Sequence, residues 1–155
     1  MLRAIYKTGS SIFLKNNRDV DYLYIYDTVQ EKRKASKCKP SEDIDKHFIA
    51  MPDILRIRLG CYIYPTMELV EGEEIKELKE FNILEHFEEY KELVNYYIDS
   101  LINKDKRWYH IAVAYYMFNN NSLSLNEEQI KIIQYIHDND ISEEQKEKIK
   151  EYFTR

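Results

Sequence analysis

Hydrophobic and polar positions follow a strand-like pattern in two segments near the start of the chain. LRAIYKTG (2–9) is a short apolar run that stops at Gly9, and DVDYLYIYD (19–27) alternates between two sets of residues. A period of two is the spacing of side chains on a β-strand, and β-branched and aromatic residues favour strands. We therefore predict two strands here, with a turn or two of helix at SIFLKNN (11–17) between them.

Two further segments continue this N-terminal part. SEDIDKHFIA (41–50) predicts a third strand, with Asp43, Asp45 and His47 on one face. PDILRIRLG (52–60) begins at a proline and ends at a glycine, which suits a helix, although its isoleucines and leucines would equally suit a strand. The strands together predict a small mixed β-sheet.

The spacing of apolar residues becomes helical from about Met67 onwards. Asn126 and Ser142 are good N-cap residues, and acidic residues follow each of them in the first turn. Stripes at helical spacing occupy residues 81–102, 106–118, 126–138 and 142–153.

These patterns predict an α+β fold. We expect a minimal α/β core over residues 1–66 and a C-terminal helical bundle over residues 67–155, packed on the core as one compact unit. The two parts are not expected to fold separately, because fewer than about 70 residues make a thin hydrophobic core.

The composition indicates a folded protein without a membrane-spanning segment. Hydrophobic residues make up 44% and charged residues 33% of the chain. No window approaches about 18 consecutive apolar residues, and the N-terminus lacks the layout of a signal peptide. We therefore expect a cytoplasmic protein in which Cys38 and Cys61 are reduced thiols, since two cysteines form neither a metal quartet nor a disulfide framework.

The charge is unevenly distributed along the chain. The net charge of −5 argues against a non-specific nucleic-acid binder. The segment EKRKASKCKP (31–40), however, contains five basic residues. It is interpreted as a solvated loop or, if a phosphate site lies nearby, as a cationic flap over a phosphate-bearing substrate.

The candidate chemistry lies between the first two strands. Asp19 and Asp21 project from the same face of their strand, and two neighbouring carboxylates repel each other unless a cation compensates. Hard divalent ions such as Mg²⁺ prefer such oxygen ligands. Gly9 allows a ligand to approach the backbone, and Ser10 and Ser11 add hydroxyl and N–H groups at a helix start, where phosphate oxygens bind. An Asp-x-Asp pair is common in acidic proteins, but this context makes it a candidate metal–triphosphate site.

The order of a strand, Gly9-Ser10, a short helix and Asp19-x-Asp21 on the next strand resembles the signature of the polymerase-β-like nucleotidyltransferase superfamily. Later segments resemble one branch of it, the small predicted nucleotidyltransferases of bacteria and phages. These segments are DIDKHF (43–48), ILRIRLG (54–60), Pro65, Glu68 and Tyr109-His110.

The resemblance implies a third carboxylate on a neighbouring strand, for which Asp45 is the first choice, Asp43 the second and Asp53 a distant third. Two Mg²⁺ (or Mn²⁺) ions held by Asp19, Asp21 and Asp45, or by Asp43 in place of Asp45, would act on a nucleoside triphosphate. The resemblance also implies that Ser10 binds phosphate oxygens. Lys15 or Arg18 would neutralise the charge of the phosphates; the alternative is that both are exposed charges of the short helix without a role in the site. His47 is a further candidate to line the site.

The resemblance thus implies a Mg²⁺-dependent nucleotidyltransferase that moves a nucleoside monophosphate to a hydroxyl acceptor, with RNA, protein and small molecules all open as acceptors. The alternative is a non-catalytic or antitoxin-type binding protein of the same fold, phage-encoded or paired with a separate toxin chain. The segment Ile12–Leu14 leaves room for it, because many family members carry a small or basic residue and a second glycine there.

Overall fold

The computed structural model describes two compact units of the chain. No helix in the described part is long and apolar enough to cross a membrane. The first unit comprises Met1–Arg56 and Cys61–Phe81, and the second Ile57–Gly60 and Asn82–Arg155. Within them, the described residues are 1–8, 20–40, 42, 45–56, 67–100, 108–120 and 125–154.

A four-stranded mixed sheet forms the first unit, in the spatial order β3-β2-β1-β4. The pair β2–β3 is parallel, whereas β1 runs antiparallel to both β2 and β4. The α+β class and the mixed sheet are therefore confirmed. The strands are β1 (Leu2–Thr8), β2 (Asp21–Tyr26), β3 (Lys46–Ala50) and β4 (Glu68–Gly72).

One face of this sheet forms the core of the first unit. Leu23 and Ile25 of β2 are fully buried, and Tyr6 and Ile49 lie next to them on β1 and β3. The Tyr6 hydroxyl accepts a hydrogen bond from the backbone N–H of Ile75 at 2.8 Å. Period-two alternation in β2 therefore produces a buried aliphatic face, as predicted, and places its tyrosines on the opposite face.

The segment interpreted as a basic loop is a helix, so that prediction was wrong. Helix α1 (Val29–Cys38) begins after Thr28, whose side chain accepts a hydrogen bond from the backbone N–H of Glu31 at 3.2 Å. It connects two parallel strands, and a parallel pair needs a long crossover that is usually helical. No residue of α1 is fully buried, which explains why the apolar pattern did not indicate it.

The third strand and the segment after it are shorter than expected. Strand β3 covers only Lys46–Ala50 of the predicted 41–50, and a 3₁₀ turn at Met51–Asp53 follows it. No longer helix or strand begins at Pro52 within the described residues up to 56. The remainder of the predicted segment, 57–60, lies outside the described residues.

The helical pattern predicted from Met67 onwards is wrong for its first residues. Glu68–Gly72 form β4, an exposed edge strand that pairs with β1. Its strand state depends on backbone pairing rather than on an apolar face. Gly72 has a φ of +89°, which favours glycine, and leads into the single-turn helix α2 (Lys76–Lys79).

The second unit is helical, as predicted. After a 3₁₀ turn at Ile83–His86, α3 packs against α4 and α6, and α4 also packs against α5 and α6. Asn126 and Ser142 both form complete capping boxes with a glutamine three residues later, which confirms both predicted helix starts. The helices are α3 (Phe87–Ser100), α4 (Trp108–Asn120), α5 (Glu127–Asp138) and α6 (Glu143–Phe153).

Candidate functional site

Three strand ends meet at one edge of the sheet. An edge in this sense is a border formed by strand ends, not an outermost strand. Thr8, the last residue of β1, pairs with Asp21, the first residue of β2, because these strands are antiparallel. Strand β3 starts at the same edge, because it runs parallel to β2 and its Lys46 pairs with Tyr22. The segments that follow β1 and precede β2 and β3 therefore leave the sheet at a common edge.

Asp21 has a defined partner at this edge. Its Oδ1 lies 3.2 Å from the Nε2 of His47 on the neighbouring strand. The two side chains are partly buried, with exposed fractions of 23% for Asp21 and 28% for His47. The period of two explains this contact, since Asp21 and Leu23 share a face and the register places His47 beside Leu23.

Asp45 lies next to Asp21 along the same edge. Its carbonyl oxygen accepts a hydrogen bond from the backbone N–H of Tyr22 at 2.8 Å. This bond continues the β2–β3 ladder, whose register extends by one residue to bring Asp45 alongside Asp21. Two of the predicted carboxylate residues therefore lie at one edge: Asp21 begins β2, and Asp45 directly precedes β3.

Asp53 is placed at the opposite edge and does not join this group. It lies in the 3₁₀ turn that follows the end of β3, whereas Asp21 and Asp45 lie at the strand starts. Asp27, which follows the end of β2, also belongs to the opposite edge and lies 3.5 Å from the Nε of Arg3. The weakest candidate for the third carboxylate is thereby removed on geometric grounds.

The other predicted site residues lie outside the described residues, so their roles stay predictions. These residues are Gly9, Ser10, Ser11, Lys15, Arg18, Asp19 and Asp43.

Tyr109 and His110, which belong to the resemblance, are described. They lie in α4 of the second unit, with ring centroids 3.8 Å apart.

The donor set at the described edge fits a divalent ion only in part. Among the described residues, no group of three or more His, Cys, Asp or Glu side chains could hold a metal ion. The carboxylates of Asp21 and Asp45, whose backbones lie side by side, are oxygen donors that Mg²⁺ and Mn²⁺ accept, and the His47 nitrogen is a donor that suits Mn²⁺ better than Mg²⁺. Completing the set would require Asp19 from the segment before β2.

The sequence predicts His47 as a candidate to line the site, but its contact with Asp21 depends on the strand register, which the sequence does not show. Thr8 was overlooked: it is fully buried at the end of β1, directly before Gly9. A polar residue between an apolar strand and a Gly-Ser turn is the signal that could have drawn attention to it.

Comparison of the chain with protein-family models, with curated proteins and with solved structures found no match.

Proposed function

We propose that this protein is a Mg²⁺- or Mn²⁺-dependent nucleotidyltransferase that moves a nucleoside monophosphate from a nucleoside triphosphate to a hydroxyl acceptor. The observation that carries the proposal is the meeting of three strand ends at one edge, with Asp21 and Asp45 side by side and the Gly9-Ser10 segment following Thr8. Carboxylates on adjacent strands are donors for cations, and a glycine-serine segment that follows the neighbouring strand end would supply donors for phosphate groups.

Each residue has a defined task in this proposal. Asp19, Asp21 and Asp45, with Asp43 as the substitute for Asp45, would hold the divalent ions. Bound there, the ions would supply positive charge beside the α-phosphate and the leaving pyrophosphate. Asp45 accepts the proton of the attacking hydroxyl.

The Gly-Ser segment and the residues after it bind the triphosphate. Gly9 allows the close approach of the phosphates, and Ser10 and Ser11 donate hydrogen bonds to their oxygens. Lys15 and Arg18 neutralise the remaining phosphate charge. His47 acts as a positioning residue, because its contact with Asp21 restricts the orientation of that carboxylate.

The test is a transfer assay with the purified chain. The protein is incubated with Mg²⁺ or Mn²⁺, one triphosphate at a time labelled in its α-phosphate, and a cell extract as the source of acceptors. We expect label to enter one class of RNA, protein or small molecule. A metal ligand contributes several kcal/mol to the stabilisation of the transition state. Asp21→Asn and Asp45→Asn should therefore each reduce the rate of transfer by on the order of 100-fold or more.

Asp27→Asn and Asp53→Asn are matched controls, because they make the same change at the opposite edge of the sheet. Both controls should retain transfer within about 3-fold, in keeping with the small effects of surface substitutions. An absence of transfer with every triphosphate by the folded wild-type protein would refute the enzymatic proposal. Equal losses in the controls would refute the assignment of Asp21 and Asp45.

One observation favours a second candidate, a non-catalytic or antitoxin-type binding protein with the same core. The Asp21–His47 contact gives this carboxylate a partner without any metal ion, so that the edge can be stable in the absence of catalysis. In that case Asp21→Asn would leave the binding of a partner chain unchanged, and wild-type protein would transfer no label.

A further inference from the structure

The outward face of α1 carries a group of cations. Arg33, Lys34 and Lys37 are all exposed, whereas Lys32, Ala35 and Lys39 are half-buried. With 3.6 residues per turn, the three exposed cations fall within an arc of about 100°. We call Arg33, Lys34 and Lys37 the α1 basic face.

Within the described residues, no carboxylate neutralises the α1 basic face. None of its three cations forms an ion pair or hydrogen bond with another residue in the described part of the chain. Three exposed lysines of other helices behave differently. They pair with nearby glutamates at distances of 3.9, 3.5 and 3.9 Å: Lys76 with Glu80, Lys79 with Glu74, and Lys148 with Glu144.

The local charge differs in sign from that of the whole chain. Residues 29–40 contain five basic residues and one acidic residue, Glu31, although the chain has a net charge of −5. At physiological salt the Debye length is about 8 Å, so that acidic groups farther away are largely screened. An anion that approaches α1 therefore meets a positive field.

Aromatic rings on the sheet lie next to two other lysines, Lys39 directly after α1 and Lys46 at the start of β3. Tyr24 and Phe48 are half-buried neighbours with ring centroids 5.3 Å apart. The Lys39 Nζ lies 5.7 Å from the Phe48 ring centroid, and the Lys46 Nζ lies 5.9 Å from the Tyr24 ring centroid. By strand alternation these rings belong to the face opposite Asp21, so the surface is separate from the candidate site.

We propose that the α1 basic face, together with Tyr24 and Phe48, binds single-stranded nucleic acid. Unpaired cations attract the phosphate backbone, and aromatic rings stack with bases that a single strand leaves accessible. Duplex DNA or RNA keeps its bases stacked and does not offer them to such rings. The proposal is independent of nucleotidyl transfer.

An anionic membrane is the other polyanionic surface to consider, and α1 does not suit it. A helix that lies on a bilayer needs an apolar face to enter the acyl region. The exposed positions of α1 hold Gln30, Arg33, Lys34, Ser36, Lys37 and Cys38, without a large apolar side chain. Its less exposed side packs against β3 and β2.

Fluorescence anisotropy with a labelled single-stranded RNA of mixed sequence tests the proposal over a range of salt concentrations. The triple variant Arg33→Gln, Lys34→Gln, Lys37→Gln is compared with wild type. For three lost phosphate contacts on a single strand, the slope of log affinity against log salt should fall in magnitude by about 2. We expect the affinity at low salt to fall by on the order of 10-fold or more.

The matched control is Lys76→Gln, Lys79→Gln, Lys148→Gln, which removes the same charge from exposed, ion-paired lysines. Its affinity should stay within about 2-fold of wild type, because those cations are already neutralised. Arg33→Gln alone should lower the slope by about 0.7, so a poorly folded triple variant leaves the proposal testable.

Several results would overturn the proposal. The wild-type protein could fail to bind RNA at low salt, or both triple variants could lose affinity equally, which would indicate a general charge effect. Preference for a duplex of the same sequence would contradict the role of the rings. Binding to phosphatidylserine vesicles without binding to RNA would point to a membrane surface instead.

Discussion

The carboxylate of Asp21 contacts the imidazole of His47 at 3.2 Å, although 26 positions separate them in sequence. The contact exists because β2 and β3 run parallel, with α1 as the crossover between them. It therefore reports on the pairing of these strands as well as on the candidate site.

A double-mutant cycle measures this contact directly. Asp21→Ala and His47→Ala should each lower the free energy of unfolding by about 1 kcal/mol, because each removes the contact between two partly buried polar groups. The double variant should lose less than the sum by about 0.5–1.5 kcal/mol. Urea denaturation in the presence of EDTA gives these values without a contribution from metal binding. The pair Asp27→Ala and His47→Ala is the control and should be additive; additivity for Asp21 and His47 would contradict the contact.

Gly72→Ala should weaken the pairing of β4 with β1. A Cβ at this position would overlap the carbonyl oxygen of Arg3 and lie 2.9 Å from the Cα of Ala4, and the φ of +89° disfavours any side chain. We expect a loss of about 2 kcal/mol or more, since the obstructing atoms are backbone atoms of the neighbouring strand. Glu71→Ala on the same exposed strand should change the stability by less than about 0.5 kcal/mol. Equal thermal stability of the two variants would show that β4 does not depend on this glycine.

Tyr6→Phe should destabilise the first unit at neutral pH. The hydroxyl of Tyr6 is the acceptor for the backbone N–H of Ile75, and without it that buried donor has lost this partner. Leaving a buried donor unsatisfied costs about 1–3 kcal/mol. Urea denaturation at pH 8 gives the value, and Tyr135→Phe, at a position that is 62% exposed, is the control and should be neutral.

The effect of Tyr6→Phe should diminish at alkaline pH. Burial raises the pKa of the Tyr6 hydroxyl above its usual value of 10.0, the nearby Glu74 carboxylate adds to the rise, and the hydrogen bond from Ile75 opposes it. A raised pKa in the folded state contributes stability that is fully present below about pH 10 and is lost as pH rises through the folded-state pKa. Wild-type stability should therefore decline above about pH 10 more steeply than that of Tyr6→Phe. Parallel declines would contradict the raised pKa.

The two capping boxes of the second unit should contribute different amounts to its stability. Gln129 accepts from the backbone N–H of Asn126 at 3.1 Å and also exchanges two hydrogen bonds with Asn120 of α4, at 2.7 and 2.9 Å. The Gln145 side chain bonds only with Ser142 among the residues described. Gln145→Ala should cost about 1 kcal/mol and Gln129→Ala about 2 kcal/mol, as measured by thermal denaturation.

Asn120→Ala provides the control for the bridge to α4. It removes the two bonds between α4 and Gln129 but keeps the capping box, so it should account for the difference between the two glutamine variants. Similar losses for Gln129→Ala and Gln145→Ala would show that the bridge contributes nothing to stability.

The elements predicted correctly share a marked apolar pattern. Leu23 and Ile25 alternate with tyrosines in β2, and the stripes of α3 to α6 follow the helical period. Such patterns are local properties of the chain, because the spacing of side chains in a strand or helix is fixed by its backbone geometry. The same holds for Asn126 and Ser142, which cap helices through contacts only three residues long.

The elements that were missed have no such pattern. Helix α1 has no fully buried residue, and every residue of β4 is exposed. Their conformations depend on partners that are distant in sequence: the parallel strands that α1 connects, and β1, with which β4 pairs. Charged, exposed segments of this kind carry too little apolar signal for their sequence alone to distinguish helix, strand and loop.

By itself, the sequence determined the α+β class, the buried strand that follows Asp21, the helical second unit and the aspartates to consider as metal ligands. Only the tertiary structure decided which of these groups are neighbours: it brought Asp45 and His47 to Asp21 and placed Asp53 at the far edge. It also turned the basic segment into a helix with its cations on one side. The physical reason is that alternation and capping act over a few residues, whereas strand order and register arise from pairing between segments far apart in the chain.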